Sequence, residues 1–436
     1  MSVHIQLVPS PVSPMLGLVT YLTEVELHSG DPNVFIAAAR GPDMHSLGYK
    51  TGASLVGSGA GLCWEDARGA AIGECLERYA ACIVESENLL ISSYDSLINS
   101  NLNAHEPSTW ALFDQSQKVP YPAFSNDLII AWSEGWDLVT NKPIFLPANF
   151  AHLSSSPILR EWGANLIGPA VSTGCACATS INEGLLKGFC ELIERDAFMI
   201  VWRNSLPVPE VIIDEDTDLY QVYTSRFARP GLEYHIWCTT LDFPIPSFFG
   251  VLFDHRGAEM RMVVGGAANL DAEKAVQKTL CELIQGLSWL EYMGEQKKCI
   301  PIDFNDIHSF TDRALLYSTP RDLQKAYSFL FKNFKQVPLS SIKSKRGTAD
   351  EMLQYCVDAV VNKGFQPSAI DLTTDDVREC GYVVTRVVIP GLETMDGDHR
   401  LQMLGGTRWR KVPMELGLLP SIQTIKNINP FPHPYP

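Results

Sequence analysis

Positive charge is scarce in this sequence. Lys and Arg total 34 against 50 Asp and Glu, a formal net charge of −16 over 436 residues. Nucleic-acid binding needs a basic footprint to neutralise phosphates. The short clusters Lys297-Lys298 and Lys343 to Arg346 do not make one, so no nucleic-acid partner is expected. Long apolar runs are missing too: the longest are short, Phe198 to Trp202 among them, and no segment is fit to span a membrane. No positively charged and apolar leader opens the chain. Neither C-x-x-C nor a histidine cluster occurs, and Cys175-x-Cys177 is too tight and isolated for tetrahedral zinc. The 11 cysteines are odd in number, scattered, and mostly in apolar helical stretches (Cys75, Cys82, Cys190, Cys281). That is the usage of a reducing compartment, not a disulfide framework, and a cytoplasmic protein is expected.

What is present is one pattern, repeated. Glu74-Cys-Leu-Glu-Arg78 and Glu191-Leu-Ile-Glu-Arg195 share the form E-x-x-E-R, and Glu282-Leu-Ile-Gln285 is a weaker echo. Residues three apart on a helix lie on one side, with Cβ atoms roughly 5–6 Å apart, so each motif aims two carboxylates the same way. The flanks are apolar nearly all round. Ala67, Ala70, Ala71 and Ala81 share the glutamate stripe of the first motif, and Ile72, Leu76, Tyr79 and Ile83 form another. In the third, Val276, Leu280, Leu283, Leu287 and Leu290 keep helical spacing with Glu282 and Gln285 to one side. Such helices are buried, and paired carboxylates in them are costly unless a cation or donor meets them. Magnesium fits, taking one or two carboxylates and leaving its other positions to water and phosphate oxygens. Glu74 to Arg78 and Glu191 to Arg195 also form i,i+4 pairs, which alone would be an ordinary solvated feature; three occurrences on apolar helices argue for a site.

The surroundings repeat as well. Gly57-Ser-Gly-Ala-Gly61 reads as a glycine-rich turn opening the first glutamate helix, with Gly59 and Gly61 offering main-chain N–H groups to an anion. It carries neither G-K-[ST] nor G-x-G-x-x-G. The small residues Gly168 to Ser180 lead into a helix at roughly 181–203, and a Gly-Gly-Ala-Ala turn leads into one starting near Asp271. Arg203, near the end of the second helix, is a further candidate phosphate ligand, although an arginine there commonly caps or packs. Residues 1–60 read as strands and loops, with alternation in Val3-Ile5-Leu7; residues 207–270 are β-rich, 321–336 and 349–363 helical, and 367–374 and 382–389 strands. Interleaved strands and helices give an α/β (α+β) fold, and no linker divides it. A single interwoven domain is expected: 1–60 strands and loops, 61–300 the core that binds nucleotide and metal, 301–425 a C-terminal α/β part, and 426–436 a proline-rich tail. That tail, Asn429-Pro-Phe-Pro-His-Pro-Tyr-Pro436, is a stiff rod that would place His433 or a terminal carboxylate where either moves protons.

Together these motifs resemble the YcaO family, specifically its azoline-forming cyclodehydratases. Gly59-Ala-Gly61 through Glu74 to Tyr79 is similar to the first nucleotide motif, Ser172 to Ala178 with Glu191 to Ala197 to the second, and Glu282 to Gln285 to the third. Val387 to Leu392 is similar to a segment near the family's C-terminus, and Pro432, Pro434 and Pro436 make the P-x-P-x-P ending of the azoline formers. Ala70, Lys187 and Lys278 stand where the family often has serine or glutamine, and Ala60 where many members have lysine.

The resemblance implies ATP and Mg²⁺ as cofactors. Cys, Ser or Thr residues of a ribosomal precursor peptide would become thiazolines or (methyl)oxazolines through phosphorylation of the amide oxygen. It implies metal ligands Glu74, Glu77, Glu191, Glu194 and Glu282, phosphate contacts from Arg78, Arg195 and Gln285, and a catalytic tail of Pro432, His433, Pro434 and Pro436. It also implies a homodimer and an E1-like or leader-peptide-binding partner, since the first 60 residues hold no evident leader-binding module. Two other readings stay open: a non-catalytic scaffold subunit, and another YcaO chemistry such as thioamide formation. A di-iron bundle would need E-x-x-H.

Overall fold

The computed structural model describes residues 10–435 apart from 27, 48, 50–54, 154, 297–302, 320–322 and 334. The alternation at Val3-Ile5-Leu7 and the final Pro436 therefore lie outside the described residues.

Three sheets each end in a strand that runs into one of the carboxylate helices. In the first, Tyr21–Glu24, Phe35–Arg40 and Val56–Gly61 pair antiparallel in that order, and Val56–Gly61 leads to the helix Trp64–Cys82. The second orders Leu89–Ser92, Ile130–Asp137, Ser368–Asp371, Val383–Val388 and Cys175–Ala178, with Pro143–Pro147 also on Ile130–Asp137. Its edge strand Cys175–Ala178 leads to Ile181–Arg203. The third orders Arg261–Ala268, Ser247–Asp254, Leu232–Cys238, Glu210–Ile212 and Gln336–Pro338, and its edge strand Arg261–Ala268 leads to Ala272–Glu295. Strands from residues 368–388 sit inside a sheet begun at residue 89, and Gln336–Pro338 extends another. The fold is thus α+β and interwoven.

The three strand–helix units close a ring. Besides its own strand, the first helix packs on Cys175–Ala178, the second on Arg261–Ala268, and the third back on Val56–Gly61. Each helix leans on the edge strand of the next unit, which brings the three glutamate motifs around one centre.

This close approach corrects the expected turns. Gly57 to Gly61 is an edge strand, and Gly59 and Gly61 serve its packing. A Cβ at Gly57 would lie 2.3 Å from the carbonyl oxygen of Ala71, and one at Gly59 2.4 Å from that of Ala67. Glycine lets the helix lie on the strand with no side chain between. The Gly-Gly-Ala-Ala turn is likewise the end of Arg261–Ala268, where a Cβ on Gly265 would meet Glu282 Cβ at 3.0 Å. The helix expected over 321–336 is a turn at Gln324–Tyr327 and a 3₁₀ turn at Leu330–Lys332. Between them Ser328 Oγ donates to the Lys325 carbonyl (3.2 Å), a local bond that competes with helix propagation.

Candidate active site

Each unit holds its first glutamate in the same way. The Ser58 N–H donates to Glu74 Oε2 (2.7 Å), the Gly174 N–H to Glu191 Oε2 (3.1 Å), and the Gly266 N–H to Glu282 Oε2 (3.2 Å). The acceptor follows its donor by 16, 17 and 16 residues, so the repeat is geometric as well as textual. An edge strand has main-chain groups left unpaired, and here such groups at Ser58 and Gly266, with that of Gly174 just ahead of its strand, fix carboxylates.

The residue three positions on meets the next unit. Burial pushes the Glu77 carboxyl well above its ordinary range, and Glu191 and then Glu74 push it further. Burial likewise raises Glu194 to about 7, with Glu282 and Glu191 adding to the rise while Arg195 and Lys278 oppose it. At the third junction the Gln285 amide donates to Ser58 Oγ at 2.6 Å. Two junctions of the ring therefore oppose carboxylate to carboxylate, and the third is neutral.

The neutral junction carries a modest prediction. Ser58→Ala leaves the Gln285 amide without its acceptor and should lower stability by about 0.5–1.5 kcal/mol, measured by urea unfolding.

Basic side chains flank the row. Arg78 Nη2 lies 2.5 Å from Glu74 Oε1, Arg195 lies 3.3 Å from Glu194 and 3.8 Å from Glu191, and Lys278 Nζ lies 3.6 Å from Glu282. Lys187 Nζ instead donates to the Cys177 carbonyl (3.1 Å).

The donor set fits magnesium bound with phosphate. Among the described residues no three His, Cys, Asp or Glu side chains come close enough to cage a cation unaided. Mg²⁺ uses one or two carboxylates and completes its shell with water and phosphate oxygens. Glutamates pushed toward their protonated form, by burial first and by neighbouring carboxylates second, are what such a cation relieves.

Glu194 makes this measurable. Folded, it keeps its proton to about pH 7, while an ordinary exposed glutamate loses it near 4.5. The resulting stability is present below pH 4.5 and lost as pH rises through 7. Compared with Glu194→Gln, which does not titrate, the wild type should lose relative stability across that interval in metal-free buffer. Melting temperatures of the two proteins test this, and a pH-independent difference would exclude the raised pKa.

The tail enters the site through a residue that sequence reasoning passed over. Tyr435 is 2% exposed, its hydroxyl donates to Glu194 Oε1 (3.3 Å), and its ring lies 4.5 Å from the Arg195 guanidinium carbon. The hydroxyl occupies the space where a Cβ on Gly266 would be.

The rest of the tail is pinned from behind. Trp202 Nε1 donates to the Phe431 carbonyl (3.1 Å), the Tyr317 hydroxyl to that of Pro432 (2.7 Å), and Arg313 to that of His433 (3.4 Å). Pro432 and Pro434 are buried. His433 packs near Phe198 and Phe310, and Nε2–H donates to the Asp396 carbonyl (3.0 Å). Burial pulls its pKa well below the ordinary range, which leaves a weakly basic imidazole; its visible work is packing. Arg203 is committed elsewhere: its buried guanidinium pairs with Glu393 and lies 3.8 Å from Asp396.

A family model described as YcaO cyclodehydratase, ATP- and Mg²⁺-binding, matches residues 58–393. The chain belongs to the YcaO family. The matched span opens at Ser58, the donor to Glu74, and the tail lies beyond its end. The chain is 21% identical to a heterocyclase solved in complex with substrate and cofactor (TM-score 0.76), covering 98% of this chain and 56% of that one. It is also 21% identical to the YcaO of Methanopyrus kandleri bound with AMPPCP and Mg²⁺ (TM-score 0.61; 86% of each chain). An uncharacterized protein in the tfuA 3′ region of Rhizobium leguminosarum bv. trifolii is 24% identical over 291 residues, 63% of each chain. The chain thus spans less than two thirds of the length of the heterocyclase and of the Rhizobium protein. At such identities the structural likeness establishes the fold, and the family match carries ATP and Mg²⁺ as the YcaO cofactors.

Proposed function

We propose that this YcaO protein is an ATP-dependent peptide cyclodehydratase. In its reaction a Cys, Ser or Thr side chain of a precursor peptide closes on the preceding main-chain carbonyl, and loss of water leaves a thiazoline or (methyl)oxazoline. The observation that carries this reading is the ring of three strand–helix units, each holding its first glutamate (Glu74, Glu191, Glu282) on a main-chain N–H and leaning on the next unit. Glu74, Glu77, Glu191, Glu194 and Glu282 would hold Mg²⁺. ATP bound with that Mg²⁺ supplies the phosphoryl group that turns the amide oxygen into a leaving group.

The chain's own residues position and neutralise, which is most of what phosphoryl transfer asks of a protein. Arg78 and Arg195 orient the carboxylates and offer charge to phosphate oxygens, and Gln285 closes the neutral junction. Tyr435 holds Glu194 and Arg195 in place. The buried tail favours azoline formation over other YcaO chemistries, because its Tyr435 touches Glu194 and Arg195.

A precursor peptide, an E1-like or leader-binding partner and a homodimer belong to the same proposal. Purified protein given ATP, Mg²⁺, partner and precursor should lower the peptide's mass by one water per ring; unchanged peptide with the correct partner present overturns the reading.

A further inference from the structure

Arg386 is a buried cation with no carboxylate paired to it among the described residues. It lies within the strand Val383–Val388 and is 2% exposed. Arg203, Arg313 and Arg408, which are equally hidden, each pair with an acidic side chain. Among the described residues, the hydrogen bonds of Arg386 all go to main-chain carbonyls: Nη1 to Ala151 (3.5 Å), Nη2 to Val171, and Nη2 also to Thr173 (3.3 Å). Among those residues its Nε–H has no partner either. An unpaired buried charge costs several kcal/mol in general, so its retention calls for a use.

Its surroundings supply one. Side chains two apart on a strand share a face, and Val384 and Val388 belong to the core beneath the Glu74–Glu77 helix. Arg386 therefore points to the side of the sheet where Glu77 lies. Burial pulls its pKa down, while Cys175, Glu191 and Glu77 act against that pull.

Two of the three carbonyls it grips, those of Val171 and Thr173, belong to the turn ending in Gly174. That glycine has φ +91°, and a Cβ on it would lie 2.4 Å from the Val387 carbonyl oxygen. Its C=O accepts from the Val387 N–H (2.8 Å), and its own N–H is the donor that holds Glu191 (3.1 Å). Turn, strand and glutamate are thus joined through one residue, with Arg386 fastening the two carbonyls on the approach to it.

We propose that Arg386 is a positioning residue for the Glu77–Glu191 junction. It fixes the 171–174 turn so that the Gly174 N–H presents Glu191 for a shared Mg²⁺. Its unpaired charge keeps the two carboxylates facing each other before that ion arrives. The inference rests on the Mg²⁺–nucleotide reading for its ligand, but not for its geometry.

The test compares wild type, Arg386→Met and Arg386→Lys in two measurements: calorimetric binding of a non-hydrolysable ATP analogue with Mg²⁺, and hydrogen exchange of the Gly174 and Cys175 amides. Arg386→Met should weaken binding by about tenfold or more and speed exchange by a similar factor, the scale of losing charge-assisted hydrogen bonds. Arg386→Lys, which keeps the charge without the fork, should fall between. A folded Met variant with wild-type affinity and exchange overturns the proposal. If the Met variant fails to fold, the Lys variant decides, and wild-type behaviour in both measurements overturns it. If the wild type itself binds no Mg²⁺–nucleotide, the proposed function fails, and the exchange measurement alone judges Arg386.

Discussion

Glu191→Gln should abolish most ATP turnover while leaving the fold intact. Glu191 lies at the most connected point of the ring: it accepts from the Gly174 N–H, lies 3.8 Å from Arg195, and faces Glu77 across the first junction. The substitution keeps shape and one acceptor but removes the charge that a cation at that junction needs. Removing one preorganised electrostatic group at a reacting centre typically costs about 10²–10³ in kcat. The side chain is 29% exposed, so little stability should be lost, and relief of repulsion on Glu77 works in the other direction. Phosphate release at saturating Mg²⁺, beside a melting curve, is the measurement. Turnover within threefold of wild type would favour a scaffold role for this subunit.

Tyr435→Ala should be the most damaging single change in the tail. Tyr435 packs edge-on to Phe198 (centroids 4.4 Å apart) and lies 5.6 Å from Phe249, besides touching Glu194 and Arg195. Truncating a large buried aromatic generally costs about 3–5 kcal/mol through lost transfer energy and the cavity left behind. Here the cavity opens beside a raised-pKa glutamate, so water reaches Glu194 and the site loses order with the core. Tyr435→Phe separates the two effects. It keeps the ring over Arg195 and loses only the bond to Glu194, about 1 kcal/mol of stability. If Tyr435 positions the site, the Phe variant should lose several-fold in kcat at nearly unchanged KM for ATP. Wild-type kcat in the Phe variant with collapse in the Ala variant would make the tail a structural plug. Denaturant unfolding and steady-state kinetics on both proteins decide.

How far the site was legible depends on the kind of signal each residue leaves. The glutamates were readable because a helix imposes a period, and E-x-x-E on an apolar background violates it in one way only. The second helix spans Ile181–Arg203 as the pattern predicts, and the third starts at Ala272 with Asp271 accepting from the N–H groups of Glu273 and Lys274. Gly57 to Gly61 was misread because strand propensity measures fit to a half-buried pleated surface, and a strand chosen for thinness has none. Arg203 looked available because helix periodicity says nothing of Glu393 and Asp396, which come from almost 200 residues away. Tyr435 and Arg386 left no local mark at all. One stands among prolines and the other among valines, and each gains its meaning from long-range packing.

The order of the second sheet has a consequence for how the chain is made. Ile130–Asp137 and Cys175–Ala178 never touch as neighbours; Ser368–Asp371 and Val383–Val388 lie between them. On the ribosome the first two strands emerge some 190 residues before the pair that unites them, and pairings this remote in sequence are slow and prone to aggregation. During that interval the nascent polypeptide carries open edges beside three apolar helices. Truncated translation products ending before residue 368 should therefore depend on chaperones to stay in solution.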